Sequence, residues 1–528
     1  MEKLNINLEK IILILISITF FIGIWHALPM LKVVGDEMYF VGGVLRAMEN
    51  HTILPAPGDV PYGTLTYFLN YILVGIFLAV LLPFFKIDLQ ALKFFLVEKP
   101  EIIYIIPRLL SAMLAVLFLY LIYKILKQEF EDKKIRFFLI ILVFTNMLTT
   151  LVLHTGKMWV LSTLLVLASF YFLYKSLYFK QRSEDKKIPK NIFFSILFSF
   201  LAVANMPFFA YALINIPLIL LFFWRRKELR LKIVKYIIIG AVVFLIILLA
   251  NLSGIKELVY NTFTYYNPIL DTQAVSSNLS IPASLALNFV KILAFFPLLV
   301  LALLLVLKNK IKNKYLFIIS MAYFLAYYLS VSIGATWTVS LYSYTRYSFP
   351  LGFFLILIIA SFNVQFKKIF YVLGFVSIIY FIPTIYFLSV PTTLNQARNW
   401  ILDNINYDNI VIDSRVRSLE LPKNKKSYEA VKEEYCSSKC KNIIKNNLNN
   451  NFKPLLIDKY TRNDFAPEDG DKKYLVTGEI LKDQIPVVSF TNKVGIGYDV
   501  DGRMANYFDL YFFTIKNFGS DIFIYTQD

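Results

Sequence analysis

Along the first 390 residues the polar positions are sparse enough to read as punctuation between apolar runs. Runs long enough to cross about 30 Å of hydrocarbon lie at roughly 11–29, 105–126, 136–154, 158–178, 192–207, 208–224, 232–251, 286–307, 315–333, 346–362 and 369–389, with one more at 67–85. The first run follows Met1–Lys10 and carries no small-residue cleavage site, so it is predicted to be an uncleaved anchor with a cytoplasmic N-terminus.

The connecting loops alternate in charge. Those at 127–136, 175–190, 225–235 and 308–314, together with Lys367 and Lys368, are strongly basic, and basic loops mark the cytoplasmic face. The loops between them each hold a single basic residue: Lys157 in 155–157, Lys256 in 252–285 and Arg346 in 334–346. The alternation predicts that 105–126 runs from outside to inside. Since the first run already delivers the chain outside, 67–85 is expected to lie in or re-enter the outer leaflet within a long extracytoplasmic loop, 30–104. About eleven transmembrane helices result, with the C-terminus outside.

The pattern changes at Pro391. Thr393–Ile405 reads as an amphipathic helix, followed by an apolar strand at 409–416, a Lys/Glu-rich helix at about 427–449, and strand-like runs such as 454–460, 473–480 and 507–515. The expected fold is a polytopic α-helical membrane protein: a transmembrane domain over 1–390, and a small soluble α/β domain over 391–528 on the outer side.

Composition sharpens this picture. Hydrophobic residues make up 58% and charged residues 17%, too apolar for a soluble protein. Residues 391–528 hold 19 basic and 19 acidic side chains, so the whole net charge of +18 belongs to 1–390, where it orients helices and leaves nothing to suggest a nucleic-acid partner. Cys436 and Cys440, four residues apart with no histidine nearby, lack the ligands of a zinc site and leave a local disulfide open.

Chemistry at the outer face must draw on Asp36, Glu37, Glu49, Asp59, Asp88, Glu98, Glu101, Glu257 and Asp271. Asp36 and Glu37 stand out, adjacent and just beyond the first run. Neighbouring side chains point in different directions, so they are not a shared-proton dyad; one could face a substrate while the other binds a second group. The pair reads equally well as the N-terminal cap of the helix that follows.

The layout resembles the GT-C superfamily of polyprenyl-phosphate-sugar-dependent glycosyltransferases, in particular the protein O-mannosyltransferase and aminoarabinose-transferase branch. The features that carry this are the Asp36-Glu37 pair in a large first outer loop, the Pro-rich and aromatic stretch PAPGDVPYGTLTYFLNY, Arg108–Ala112 at the start of the next span, Arg346-Tyr347-Ser348-Phe349-Pro350 before a late one, and Ala397–Ile401 opening an outer domain. The resemblance implies that Asp36 is the base that deprotonates the acceptor and that Glu37 positions acceptor or base. It also implies that Arg346, with Lys157, binds the lipid phosphate, its planar fork suited to that charge. Arg346 could instead be a snorkelling anchor. Tyr347, Lys256, Tyr260 and Tyr265 are candidate substrate contacts, although aromatic residues also belt membrane interfaces.

One departure concerns metal. Several relatives carry an acidic residue in the outer loop that here reads His154-Thr155-Gly156-Lys157-Met158-Trp159, so a divalent metal lacks a ligand at that place; no cofactor is fixed by the resemblance, and a divalent metal stays open. The expected partners are a polyprenyl-phosphate-linked sugar, an acceptor that is a glycan, lipid or protein, and membrane lipid. Two other classes compete. A lipid-linked sugar transporter would need charges within the spans and paired repeats, and a polysaccharide ligase or polymerase would place its main outer loop late in the chain.

Overall fold

A computed structural model gives the fold, and it describes residues 8–30, 37–56, 59–99, 101–256, 279–336, 341, 344–364, 367–405, 410–413, 416, 419, 421, 455–457, 473–482, 484–491, 518–519 and 521–527. Asp36, Tyr260, Tyr265, both cysteines, the 427–449 helix and the 507–515 run lie outside them. Among the described residues seven helices are long and apolar enough to cross a membrane, or up to nine if each of two bent pairs is one span. The chain divides into two compact units: Met1–Phe21, Leu54–Leu69 and Leu109–Ile382 form the first, and Ile22–Ile53, Asn70–Arg108 and Pro383–Asp528 the second.

In the first unit the Trp159–Gln181 and Ile188–Asn205 helices pack closely, and Phe349–Ala360, apolar on every side, is buried along its whole length. Lys227–Leu249, apolar from Tyr236 onward, is largely exposed, with Ile238 and Ile246 uncovered, which suits a lipid-facing span.

Two expected spans turn out to be bent, and two others begin with a 3₁₀ stretch. The 136–154 run is Lys133–Phe144 and Met147–Leu153 bent by 68°, and 286–307 is Ile281–Phe295 and Pro297–Val306 bent by 95°. At 208–224 a 3₁₀ stretch, Pro207–Ile214, precedes Asn215–Phe223. At 346–362, Thr345–Ser348 leads into only twelve residues of α-helix. Proline cannot donate into the preceding turn, which accounts for the breaks at Pro207 and Pro297. Asn146 joins the two bends: its Oδ1 accepts from Thr149 N at 3.3 Å, capping one half-helix, while its Nδ2 donates to Phe295 O at 2.8 Å, satisfying the end of another. Gly352 lies against the second bend, where a Cβ would come within 2.5 Å of the Phe296 ring.

The first run is also shorter than expected, a helix over Leu8–Thr19 followed by turns. Even so its ends meet different loops of this unit: Glu9 pairs with Arg136 at 2.8 Å, and Thr19 O lies 3.2 Å from His154 Nε2. The other loops sort in the same way. Arg226 meets Asp185 at 2.5 Å, Asn313 donates to Glu129 at 2.7 Å, and Lys312 N donates to Ser361 O at 2.8 Å, so basic loops contact one another. The remaining loops do likewise, with Gly63 N donating to Asn205 O at 2.7 Å and Leu279 N to Thr336 O at 3.1 Å.

The 67–85 run is one continuous helical stretch, Thr64–Phe85. Thr66, Tyr67 and Asn70 on it are buried while Ile72, Ile76, Val80 and Phe84 are exposed. By length and composition it belongs with the span-length helices.

The second unit contains the helices Glu37–Glu49, Leu89–Glu98 and Thr393–Asn404 and a five-stranded sheet. A capping box at Thr392 and Asn395 starts the last helix. The strands are β1 (Ile410–Asp413), β2 (Leu455–Ile457), β3 (Lys473–Thr477), β4 (Val488–Phe490) and β5 (Ile522–Gln527), in the order β2-β1-β3-β5-β4. β1 is parallel to β2 and β3, whereas β5 is antiparallel to β3 and β4. Leu475, Phe523 and Tyr525 form a small core, and Tyr525 Oη accepts from Leu481 N at 2.9 Å.

Candidate functional site

Asp36 lies outside the described residues, but its neighbour is fixed. Glu37 opens the Glu37–Glu49 helix and is fully buried, with its carboxylate gripped by Arg108: Nε reaches Oε1 and Oε2 at 2.9 and 3.0 Å, and Nη2 reaches Oε2 at 2.8 Å. The remaining terminal nitrogen of Arg108 donates to Ile24 O and His26 O at 3.0 and 2.5 Å. Such a bidentate pair is both strong and directional. It pins the Ile24–His26 backbone and the start of the Glu37–Glu49 helix to the first turns of the Glu101–Glu129 helix.

In the first unit, Arg346 sits in a clasp of rings. Its guanidinium carbon lies 5.2 Å from the Tyr344 ring centre, 5.4 Å from that of Tyr347 and 5.9 Å from that of Trp159. Those rings support one another. Tyr347 stacks on Tyr344 (5.6 Å, 10°) and on Phe208 (5.0 Å, 24°), Trp159 tilts against Tyr347 at 5.1 Å, and Tyr327 Oη donates to Tyr347 O at 2.6 Å. Cation–π contact holds the arginine against the rings.

Two helix starts meet at this clasp. The helical run Thr345–Ala360 begins after Tyr344, which is in the left-handed region at φ 50°, and Trp159–Gln181 begins after Met158; neither has a side-chain cap. Uncapped starts leave backbone N–H groups and the positive end of the helix dipole facing outward. Lys157, 2% exposed, stands two residues before Trp159. Trp159 thus brings the start of its helix, two residues after Lys157, beside Arg346 and Tyr347.

The clasp is braced by two asparagines. Asn205 ends the helix before the 3₁₀ stretch that carries Phe208, accepts from Thr66 N and Oγ1 at 2.9 and 3.1 Å, and donates to Ser162 Oγ at 2.8 Å. Asn251 donates to Val60 O and Thr64 Oγ1 at 2.9 and 3.0 Å. Together they fasten residues 60–66. Lys256, a helical turn after Asn251, is exposed. His154 is buried, its Nδ1 2.6 Å from Thr150 O, and serves structure.

Sequence reasoning assigned no part to Trp159, Phe208, Tyr327 or Asn205. The available signal was Asn205-Met206-Pro207, a polar residue and a helix breaker inside an apolar run. Among the described residues no three His, Cys, Asp or Glu side chains assemble as a metal site.

No known family profile matches the sequence, and no curated protein matches it. Among solved structures it is similar to that of ArnT from Cupriavidus metallidurans bound to undecaprenyl phosphate, at 10% identity and a TM-score of 0.44 over 88% of this chain and 92% of that one. A TM-score this low does not establish a shared fold, and the functional reading rests on the residues themselves.

Proposed function

We propose that this protein is an integral-membrane, inverting glycosyltransferase that moves a sugar from a polyprenyl-phosphate carrier to a glycan, lipid or protein acceptor at the outer face of the membrane. The observation that carries this is the Arg346 clasp: an always-charged fork held by rings, next to two uncapped helix starts and the buried Lys157. That chemistry suits a phosphate on an apolar tail. In the proposed step the acceptor oxygen attacks the anomeric carbon, Asp36 takes its proton, the bond from that carbon to the phosphate oxygen breaks, and polyprenyl phosphate leaves with the electron pair, stabilised by Arg346 and Lys157. Glu37 holds Asp36 in place through Arg108. Tyr347 supports the donor, and Lys256, Tyr260 and Tyr265 are the proposed further substrate contacts.

The test is transfer from a polyprenyl-phosphate sugar by full-length protein in nanodiscs. Asp36→Asn is expected to lower turnover by on the order of 10²–10⁴-fold with little change in donor binding. Arg346→Lys, which keeps charge but loses the fork, is expected to raise the donor concentration needed. Transfer from a nucleotide sugar without any polyprenyl phosphate would refute the donor assignment, and full activity in Asp36→Asn would refute the base.

A further inference from the structure

Buried polar groups normally find partners, yet two that flank Arg346 have none among the described residues. They are the indole Nε1 of Trp159, 1% exposed, and the hydroxyl of Thr345, 0% exposed. Trp159 lies 5.9 Å from the guanidinium, and Thr345 immediately precedes Arg346 in the chain. An indole N–H can only donate, whereas a hydroxyl donates and accepts. Both go unused in a region whose other walls are flat: the stacked rings of Tyr344, Tyr347 and Phe208. A lipid phosphate needs a cation and backbone N–H groups, which Arg346, Lys157 and the helix starts provide, and it needs neither an aromatic platform nor a lone indole donor. A sugar ring needs both, since its C–H face packs on aromatic rings and its hydroxyls seek fixed donors and acceptors.

We propose that Trp159 Nε1 and Thr345 Oγ1 bind a ring hydroxyl of the transferred sugar and are specificity-determining residues for the donor's headgroup, an inference that rests on the transferase reading above. A site built to hydrogen-bond a hydroxyl discriminates strongly against ligands that lack it.

The test compares full-length protein in nanodiscs binding undecaprenyl phosphate with its binding of the same lipid carrying glucose, mannose or 4-amino-arabinose. Wild type is expected to hold at least one sugar-loaded lipid more tightly than the bare one. Trp159→Phe, which keeps a ring, and Thr345→Val, which keeps the shape, are each expected to weaken that lipid about tenfold while leaving bare undecaprenyl phosphate within about twofold. Equal weakening of loaded and bare lipids means the residues only pack the clasp, and no weakening means they bind water; either result overturns the proposal, as does a wild type that binds all four lipids alike. Sugar binding that depends on Trp159 and Thr345, without transfer to any acceptor, would sink the transferase reading and leave the sugar subsite standing.

Discussion

Removing the charge of Glu37 would leave Arg108, fully buried, with two carbonyl oxygens and no anion among the described residues. Breaking one side of a buried ion pair costs about 3–5 kcal/mol, whereas replacing both partners with apolar groups is often neutral. Glu37→Gln is therefore expected to lower yield and apparent Tm sharply, more than Asp36→Asn does. The double variant Glu37→Leu with Arg108→Met should recover most of the loss in thermal unfolding. If Glu37→Gln is as stable as wild type but inactive, the carboxylate acts on substrate and the positioning role falls. Adjacency in the sequence singled out Glu37. Its partner lies 71 residues away, a separation over which the sequence carries no pairing signal.

At the level of elements, the Asn146 junction makes two bonds that can be separated. Asn146→Ala loses both the cap on Thr149 N and the donor to Phe295 O, for an expected cost of about 1–3 kcal/mol. Asn146→Asp keeps the cap acceptor but turns a carboxylate oxygen toward Phe295 O. A lower apparent Tm for Asn146→Asp than for Asn146→Ala would show that joining the two bends matters more than the cap; the reverse order would assign Asn146 to capping alone. The existence of these helices was legible from apolar runs, but 286–307 was read as one unbroken span and its bend at Pro297 was not foreseen. Nor was the bend at Asn146, because an asparagine within an apolar stretch differs from one on a helix surface only through its distant partner. In the sheet, the runs at 409–416, 454–460 and 473–480 supplied β1, β2 and β3. The clasp was half legible: Arg346 was marked as the lone cation of an otherwise neutral loop, while Trp159, Phe208 and Tyr327 resemble the many other aromatic residues of the chain until the fold brings them together.

For the whole molecule, sidedness is the quantity on which the functional reading depends, since the proposed donor and acceptor meet outside. Within the first unit the basic loops contact one another and the nearly neutral loops contact one another, as a single insertion direction requires. Thr64–Phe85 tests the count. Its 22 residues rise about 33 Å, enough to cross. The next helix, Leu89–Glu98, has ten residues and rises about 15 Å, too little to return before the 29-residue Glu101–Glu129 helix begins. Glu129 lies with the basic loops, through Asn313, and the charge alternation leads us to expect that Glu101–Glu129 runs from outside to inside. In a background with Cys436 and Cys440 replaced by serine, cysteines introduced near residues 90 and 430 are expected to react with an impermeant thiol reagent added outside intact cells. One near residue 185 should react only after the cells are opened. Labelling at 90 from the inside alone would mean that Thr64–Phe85 crosses and that the second half of the first loop is cytoplasmic, which would overturn the expected outer loop over 30–104.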